Sequence, residues 1–235
     1  MKKRLIYWGF ASGLVILLLF SSYKLMNSRT FQFFGGLTSQ VGTEEKVVAL
    51  TFDDGPTKNV ESILPILEKY NAKATFFLIG NEIEKNPQEA EKIAKAGHQI
   101  GNHTYSHRRM VLKSPSFIKE EVGRTNSLIK EAGFVGEIDF RPPNGKKLIG
   151  LPYYLHQQKI DTITWNLEPD SFYRASADKV KYVIDNVEPG SIILLHPMYD
   201  QSGDELKTIE GVLKALTEEG YKFITVNELQ GVKKK

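Results

Sequence analysis

Seven short apolar runs of extended character alternate with six helix-patterned segments between residues 46 and 226, and this alternation restricts the fold more than any other property of the chain. The extended runs cover 46–52, 74–79, 98–101, 138–140, 161–166, 191–195 and 222–226. Helical periodicity falls near 59–70, 81–96, 116–132, 151–159, 176–187 and 206–219, with Gly97, Gly133 and Gly220 where helices should stop. Such alternation predicts an α/β fold on a parallel sheet, and an open doubly wound sheet satisfies it as well as a barrel does. Placement of the polar residues favours the barrel. Asp53 and Asp54 follow the first run, His103 the third, Arg141 the fourth, Trp165 to Asp170 the fifth and His196 the sixth, and barrels build their sites from loops converging at the C-terminal rim.

The first run, Val47-Val48-Ala49-Leu50, leads into Thr51-Phe52-Asp53-Asp54-Gly55-Pro56. Side chains alternate along a strand, so the two carboxylates should point different ways, one free to bind a metal and the other to act as a base. An ordinary surface turn uses the same Asp, Gly and Pro. Further along, His103-Thr104-Tyr105-Ser106-His107 puts two of the five histidines at i and i+4, a spacing that on a helical turn places both imidazoles on one face. Two exposed or core histidines would leave the same pattern. Asp54, His103 and His107 together offer three N/O ligands and no sulfur, which suits a zinc-like catalytic site with one position open to water.

Four motifs in series, TFDDGP, HTYSH, Arg141-Pro142-Pro143-Asn144-Gly145 and Leu194-Leu195-His196-Pro197, resemble the polysaccharide deacetylase family, carbohydrate esterase family four, over roughly residues 45 to 230. The resemblance implies a distorted (β/α) barrel of about seven parallel strands and a hydrolase that removes N-acetyl groups from N-acetylglucosamine units of peptidoglycan or chitin-like oligosaccharides. It implies one divalent metal ion, zinc first with cobalt or nickel as alternatives, held by Asp54, His103 and His107. By the same resemblance Asp53 is the general base, His196 the general acid and Arg141 the partner that keeps Asp53 ionised. The Asn144 main-chain N–H would face the oxyanion, and Leu194 would line the acetyl methyl. Trp165 to Phe172 departs from the family: Ser171-Phe172 stand where an Asp-Trp is usual. Asp170 is then the expected partner of His196, with Glu168 the alternative, and Phe172 offers an apolar wall to the substrate. O-acetyl ester hydrolysis on xylan or a wall glycan, cyclic-imide or ureide hydrolysis, and glycan binding without turnover are the competing readings.

Lys2-Lys3-Arg4 precede an uncharged run from Leu5 to Phe20 that continues more weakly to Tyr23. A basic start and an apolar middle also describe a signal peptide, but no small-x-small cleavage site follows Phe20. The expectation is therefore an uncleaved anchor at 1–26, a polar tether at 27–45, one catalytic domain at 46–230 and a basic tail at 231–235. The basic residues before the apolar run place the domain outside a bacterial membrane of Gram-positive type, with secretion after cleavage as the alternative. Lys and Arg number 31 against 28 for Asp and Glu, so there is no nucleic-acid footprint, and the lack of cysteine removes disulfides and thiol chemistry.

Overall fold

The computed structural model describes residues 2–232, so Lys233 to Lys235 of the expected basic tail lie outside the described residues. In chain order the elements are α1 (Lys2–Met26), β1 (Leu37–Thr38), β2 (Val47–Asp53), α2 (Val60–Lys69), β3 (Ala74–Leu78), α3 (Gly80–Lys85), α4 (Pro87–Lys95) and β4 (Gln99–Asn102). They continue with α5 (Pro115–Glu131), α6 (Gly150–Gln157), β5 (Thr162–Ile163), α7 (Ser176–Asn186), β6 (Ile192–Leu195), α8 (Asp204–Glu218), β7 (Lys222–Phe223) and α9 (Val226–Gly231). Gly97, Gly133 and Gly220 each follow a helix at positive φ, the left-handed conformation that closes a helix without a Cβ clash.

All strand pairs are parallel. β4, β3, β2 and β6 lie side by side, and β7 pairs with the N-terminal end of β2. The expected strand at 138–140 is reduced to single bridges from Phe140 to Asn102 and to Thr162. Pro142 and Pro143 follow after Arg141 and have no N–H to extend a ladder. The last expected strand stops at Phe223 because Thr225 caps α9, its hydroxyl accepting from the Glu228 N–H while the Glu228 carboxylate accepts from the Thr225 N–H. The helix expected over 81–96 is two helices. Pro87 opens the second, where its missing N–H costs nothing and its ring disfavours helical backbone at Asn86.

Period-two alternation sorts each strand between two apolar clusters. Val48, Leu50 and Phe52 of β2 pack with Ala74, Phe76 and Leu78 of β3, with Ile193 and Leu195 of β6, and with Ile63, Leu67, Ile209 and Leu213 of the covering helices. Val47, Ala49, Phe77, Ile192 and Leu194 pack on the opposite face with Ile163 and Trp165. Continuing the count along that second face gives Thr51 and Asp53 on β2, and His196 just past β6. The strand period therefore delivers the polar residues to one side of the sheet.

Within α1, Tyr7–Met26 forms 20 residues of mean hydropathy 1.6 with no residue buried, long and apolar enough to cross a membrane or to serve as a signal sequence. Residues 27–45 were expected as a polar tether, and 27–41 of them are docked on the domain. β1 pairs with β5, Val41 N–H donates to Gly190 O at 2.9 Å, and Thr164 Oγ1 donates to Arg29 O at 2.6 Å. A protein lacking residues 1–25, which keeps the Met26 carbonyl bonded to the Lys147 N–H, should keep the melting temperature of the domain. One lacking 1–41 loses the bonds to Ser28, Arg29, Gly36 and Thr38 from Lys147, Thr164 and Thr162, and should melt about 10 °C lower at about 1 kcal/mol per bond. Equal thermal melts for the two truncations would contradict the docking.

Candidate active site

Arg141 is the largest side chain with no solvent exposure, and it organises the floor of the site. One guanidinium nitrogen donates to Asp53 Oδ1 at 2.7 Å and Thr51 Oγ1 at 2.8 Å, and the other to the Thr164 carbonyl at 3.1 Å. Its plane lies 4.0 Å from the Phe77 ring centroid. Burial alone would push the Asp53 carboxyl up, but the charges of Arg141, His103 and His196 and the Arg141 hydrogen bond outweigh it, so Asp53 stays ionised below the usual carboxylate range.

Asp54, His103 and His107 place one ligand atom each within 4.8 Å of one another. The histidines do not share a helical turn as expected. Thr104 and His107 adopt positive φ, 69° and 55°, the Thr104 hydroxyl accepts from the His107 N–H at 3.0 Å, and the loop folds the rings to 4.9 Å apart. Asp54 also has positive φ, 67°, so the two carboxylates separate by a left-handed backbone step as well as by strand alternation. The Arg141 carbonyl, which can only accept, lies 2.7 Å from His103 Nδ1, so that nitrogen carries the proton and Nε2 presents its lone pair. Nε2 is 3.8 Å from Asp54 Oδ1, and His107 Nε2 is 3.2 Å from the same oxygen. Asp54 Oδ1 is buried without a hydrogen-bond partner. Burial holds the His103 imidazole down, against the opposing charges of Asp53 and Asp54, in the neutral form a metal requires. Converging lone pairs on an unpartnered buried oxygen fit a small divalent cation.

Opposite this cluster, His196 Nδ1 lies 2.9 Å from Asp170 Oδ2, which also accepts from the His196 main-chain N–H at 3.0 Å. Asp170 is in turn 2.8 Å from Lys179 Nζ, which Glu205 also pairs. Burial lowers the His196 pKa, but the Asp170 hydrogen bond and the charges of Asp53, Asp170 and Asp54 overcome it and raise the imidazolium to about 9.

Asp53, Asp54, His107 and His196 line one cavity of about 300 Å³, together with Asn144, Ser171, Trp165, Glu168 and Arg29. Glu168 does not approach His196 as a carboxylate partner; it pairs with Arg29 at 2.7 Å and accepts from Trp165 Nε1 at 3.0 Å. Leu194 is fully buried in the apolar cluster with Trp165 and is not among the lining residues. Phe172 is 66% exposed, stacked 5.5 Å from Tyr182 outside the cavity. Ser171, its neighbour, reaches the cavity instead. Arg29 carried no sequence signal, because it lies far from every motif. A larger cleft of about 720 Å³ between α2 and α4 holds none of these residues.

The sequence profile of the polysaccharide deacetylase family matches residues 40–161. A peptidoglycan N-acetylglucosamine deacetylase of Bacillus cereus is 32% identical over 203 residues, covering 83% of this chain and 93% of that protein. The longer peptidoglycan N-acetylmuramic acid deacetylase PdaC of Bacillus subtilis is also 32% identical, and this chain spans 41% of its length. The solved peptidoglycan N-acetylglucosamine deacetylase Bc1960, bound to a benzamide ligand, superposes with TM-score 0.77 and 29% identity over 84% of this chain and 94% of that one. BA3943, a family-four pseudoenzyme of Bacillus anthracis, superposes with TM-score 0.72 and 29% identity over 81% of this chain and 67% of its own. The chain belongs to the polysaccharide deacetylase family, carbohydrate esterase family four.

A folded-state pKa above the ordinary histidine value of 6.5 means that protonated His196 stabilises the fold in full below that pH, a contribution lost as pH rises through about 9. In the metal-free protein, Asp170→Asn should move the His196 NMR titration to lower pH, and Glu168→Gln should leave it in place. The opposite result would exchange the partners.

Proposed function

We propose that this protein is a metal-dependent N-deacetylase acting on N-acetylglucosamine units of peptidoglycan, with chitin-like oligosaccharides as the alternative polymer. The observation that carries the reading is a single cavity in which Asp54 and His107, clustered with the buried His103 at cation-ligating distances, face an ionised Asp53 on one side and an Asp170-held His196 on the other. A bound divalent ion, zinc first with cobalt or nickel as alternatives, would supply Lewis acidity toward the acetyl carbonyl and a lowered water pKa. Asp53 accepts the proton of the attacking water, and Arg141 keeps Asp53 ionised for that role. The water oxygen bonds to the acetyl carbon, the C–N bond breaks, and His196 as imidazolium donates a proton to the departing nitrogen, leaving acetate and a free amine. The Asn144 main-chain N–H, at a positive-φ residue of the Pro143–Gly145 turn, is the donor for the oxyanion.

Substrate contacts beyond the reacting acetamide fall to Ser171 at the cavity wall and to the exposed Phe172 and Tyr173 beside it, backed by the partly buried Tyr182, a stacking surface for a sugar face. Leu194 acts from behind Trp165 rather than as an open wall. Single bridges from Asn102 to Phe140, from Phe140 to Thr162 and from Leu167 to Ile193 link the edges of the sheet, which supports reading the fold as a distorted barrel. The apolar Tyr7–Met26 helix supports a single-pass membrane location with the domain outside the cell, next to the wall glycan.

Likeness to BA3943 makes glycan binding without turnover the second reading, and acetate release from peptidoglycan, chitooligosaccharides and acetylxylan by metal-loaded protein separates it from catalysis. Release from acetylxylan alone would reassign the chain as an O-acetyl esterase. His103→Ala and His107→Ala should lose metal and activity together. Asp53→Asn should retain metal and lose about 10²- to 10⁴-fold in rate. Metal analysis of the purified variants checks the division, and a metal-free Asp53→Asn protein would sink it.

A further inference from the structure

Arg29 enters the cavity from outside the residues matched by the family profile, on the segment that joins α1 to β1. Its main chain is fixed from the domain side. Lys147 N–H donates to Met26 O at 3.2 Å, Lys147 Nζ donates to Ser28 O, and Thr164 Oγ1 donates to Arg29 O at 2.6 Å. Lys147 and Thr164 are almost wholly buried, and burial lowers the Lys147 pKa to about 8. An ammonium held inside the protein at that desolvation cost, and directed at one carbonyl, is a built contact. It sets where the Arg29 side chain leaves the backbone.

That side chain lies over the Trp165 ring, 4.5 Å from its centroid, and donates to Glu168 Oε2 at 2.7 Å, while Glu168 also holds Trp165 Nε1. The guanidinium has five N–H donors, and Glu168 takes one from its Nη2. With 43% of the side chain exposed, the ion pair is a surface pair and contributes little to stability. Stacking on Trp165 and pairing with Glu168 do, however, fix the plane of the guanidinium beside Asp53, Asp54 and His196.

We infer that residues 27–41 form an N-terminal strap that completes one wall of the substrate cavity, and that Arg29 on this strap hydrogen-bonds the sugar whose acetamido group is hydrolysed. This rests on the deacetylase reading. A hexosamine offers hydroxyl and ring oxygens as acceptors, and a preorganised guanidinium meets several of them at low entropic cost. Arg29 touches the sugar rather than the reacting atoms, so it contributes equally to ground-state and transition-state binding and appears in KM.

The test uses the full chain in detergent with N-acetylglucosamine tetrasaccharide. Arg29→Ala should raise KM about 10- to 100-fold, the loss of a charged hydrogen-bond donor, with kcat, metal content and melting temperature near those of the parent. Arg29→Lys should fall between, because it keeps the charge and loses the flat multi-donor face. Unchanged KM in both variants, or a fall in kcat that follows loss of metal or folding, would overturn the assignment. Binding gives a readout that needs no turnover. Trp8 and Trp165 are the two tryptophans of the chain, so in a Trp8→Phe background the Trp165 fluorescence of metal-free protein reports the sugar directly. Arg29-dependent binding without acetate release would leave the strap standing and remove the deacetylase reading. Turnover indifferent to Arg29 would do the reverse. Neither binding nor turnover would remove both.

Discussion

Arg141 is a cation with no contact to water, and the geometry of the site depends on the partners of its two terminal nitrogens, since its buried Nε has none. A buried guanidinium carries a desolvation cost that a single ion pair does not reliably offset. Here Asp53, Thr51 and the Thr164 carbonyl accept its hydrogen bonds, and Phe77 and Trp165 present ring faces to its plane. Those partners belong to β2, β3 and the segment after β5, so one side chain joins three parts of the sheet. The Arg141 carbonyl fixes the His103 tautomer as well. Removing one member of such a buried pair leaves an uncompensated charge, at a cost of about 3–5 kcal/mol.

The same arrangement divides the titratable groups. Arg141 holds Asp53 ionised, burial holds His103 neutral, and Asp170 holds His196 protonated across a cavity of about 300 Å³. Groups whose environments push their protonation states apart are what acid–base chemistry on a neutral amide requires. Lys179 extends the arrangement outward. Burial would lower its pKa, but its hydrogen bonds to Asp170 and Glu205 hold it raised, so Asp170 remains anionic between two cations.

The docked segment 27–41 ties the end of the N-terminal helix to the cavity that Arg29 lines. α1 ends at Met26, whose carbonyl is already bonded to Lys147, and Arg29 is three residues further on. The Lys146 and Lys147 contacts to Asn27 and Ser28 come from the chain just after the Pro143–Gly145 turn that carries Asn144.

How much of this was legible beforehand depends on whether the determining force was local. Short apolar runs bounded by polar segments marked β2, β3, β4 and β6 to within a residue or two, and the two-residue period placed Asp53 and His196 on the sheet face they occupy. Asp54, His103, His107, Arg141 and Asp170 were readable because each sits in or beside a compact motif. Prolines marked the break at Pro87, yet the helical pattern over 81–96 ran through it. Leu194 and Phe172 were assigned to the cavity by position, but whether a side chain faces a core, a cavity or solvent depends on what packs against it. The sequence alone therefore determined the α/β order, the parallel strands and which carboxylates and histidines come together, since periodicity and short-range motifs encode them. Only the tertiary structure decided that His103 and His107 meet through a left-handed loop, that Glu168 pairs with Arg29 rather than His196, and that the tether is a strap. Each of those rests on contacts between residues distant in the chain, or on a backbone conformation held by them, which no local pattern records.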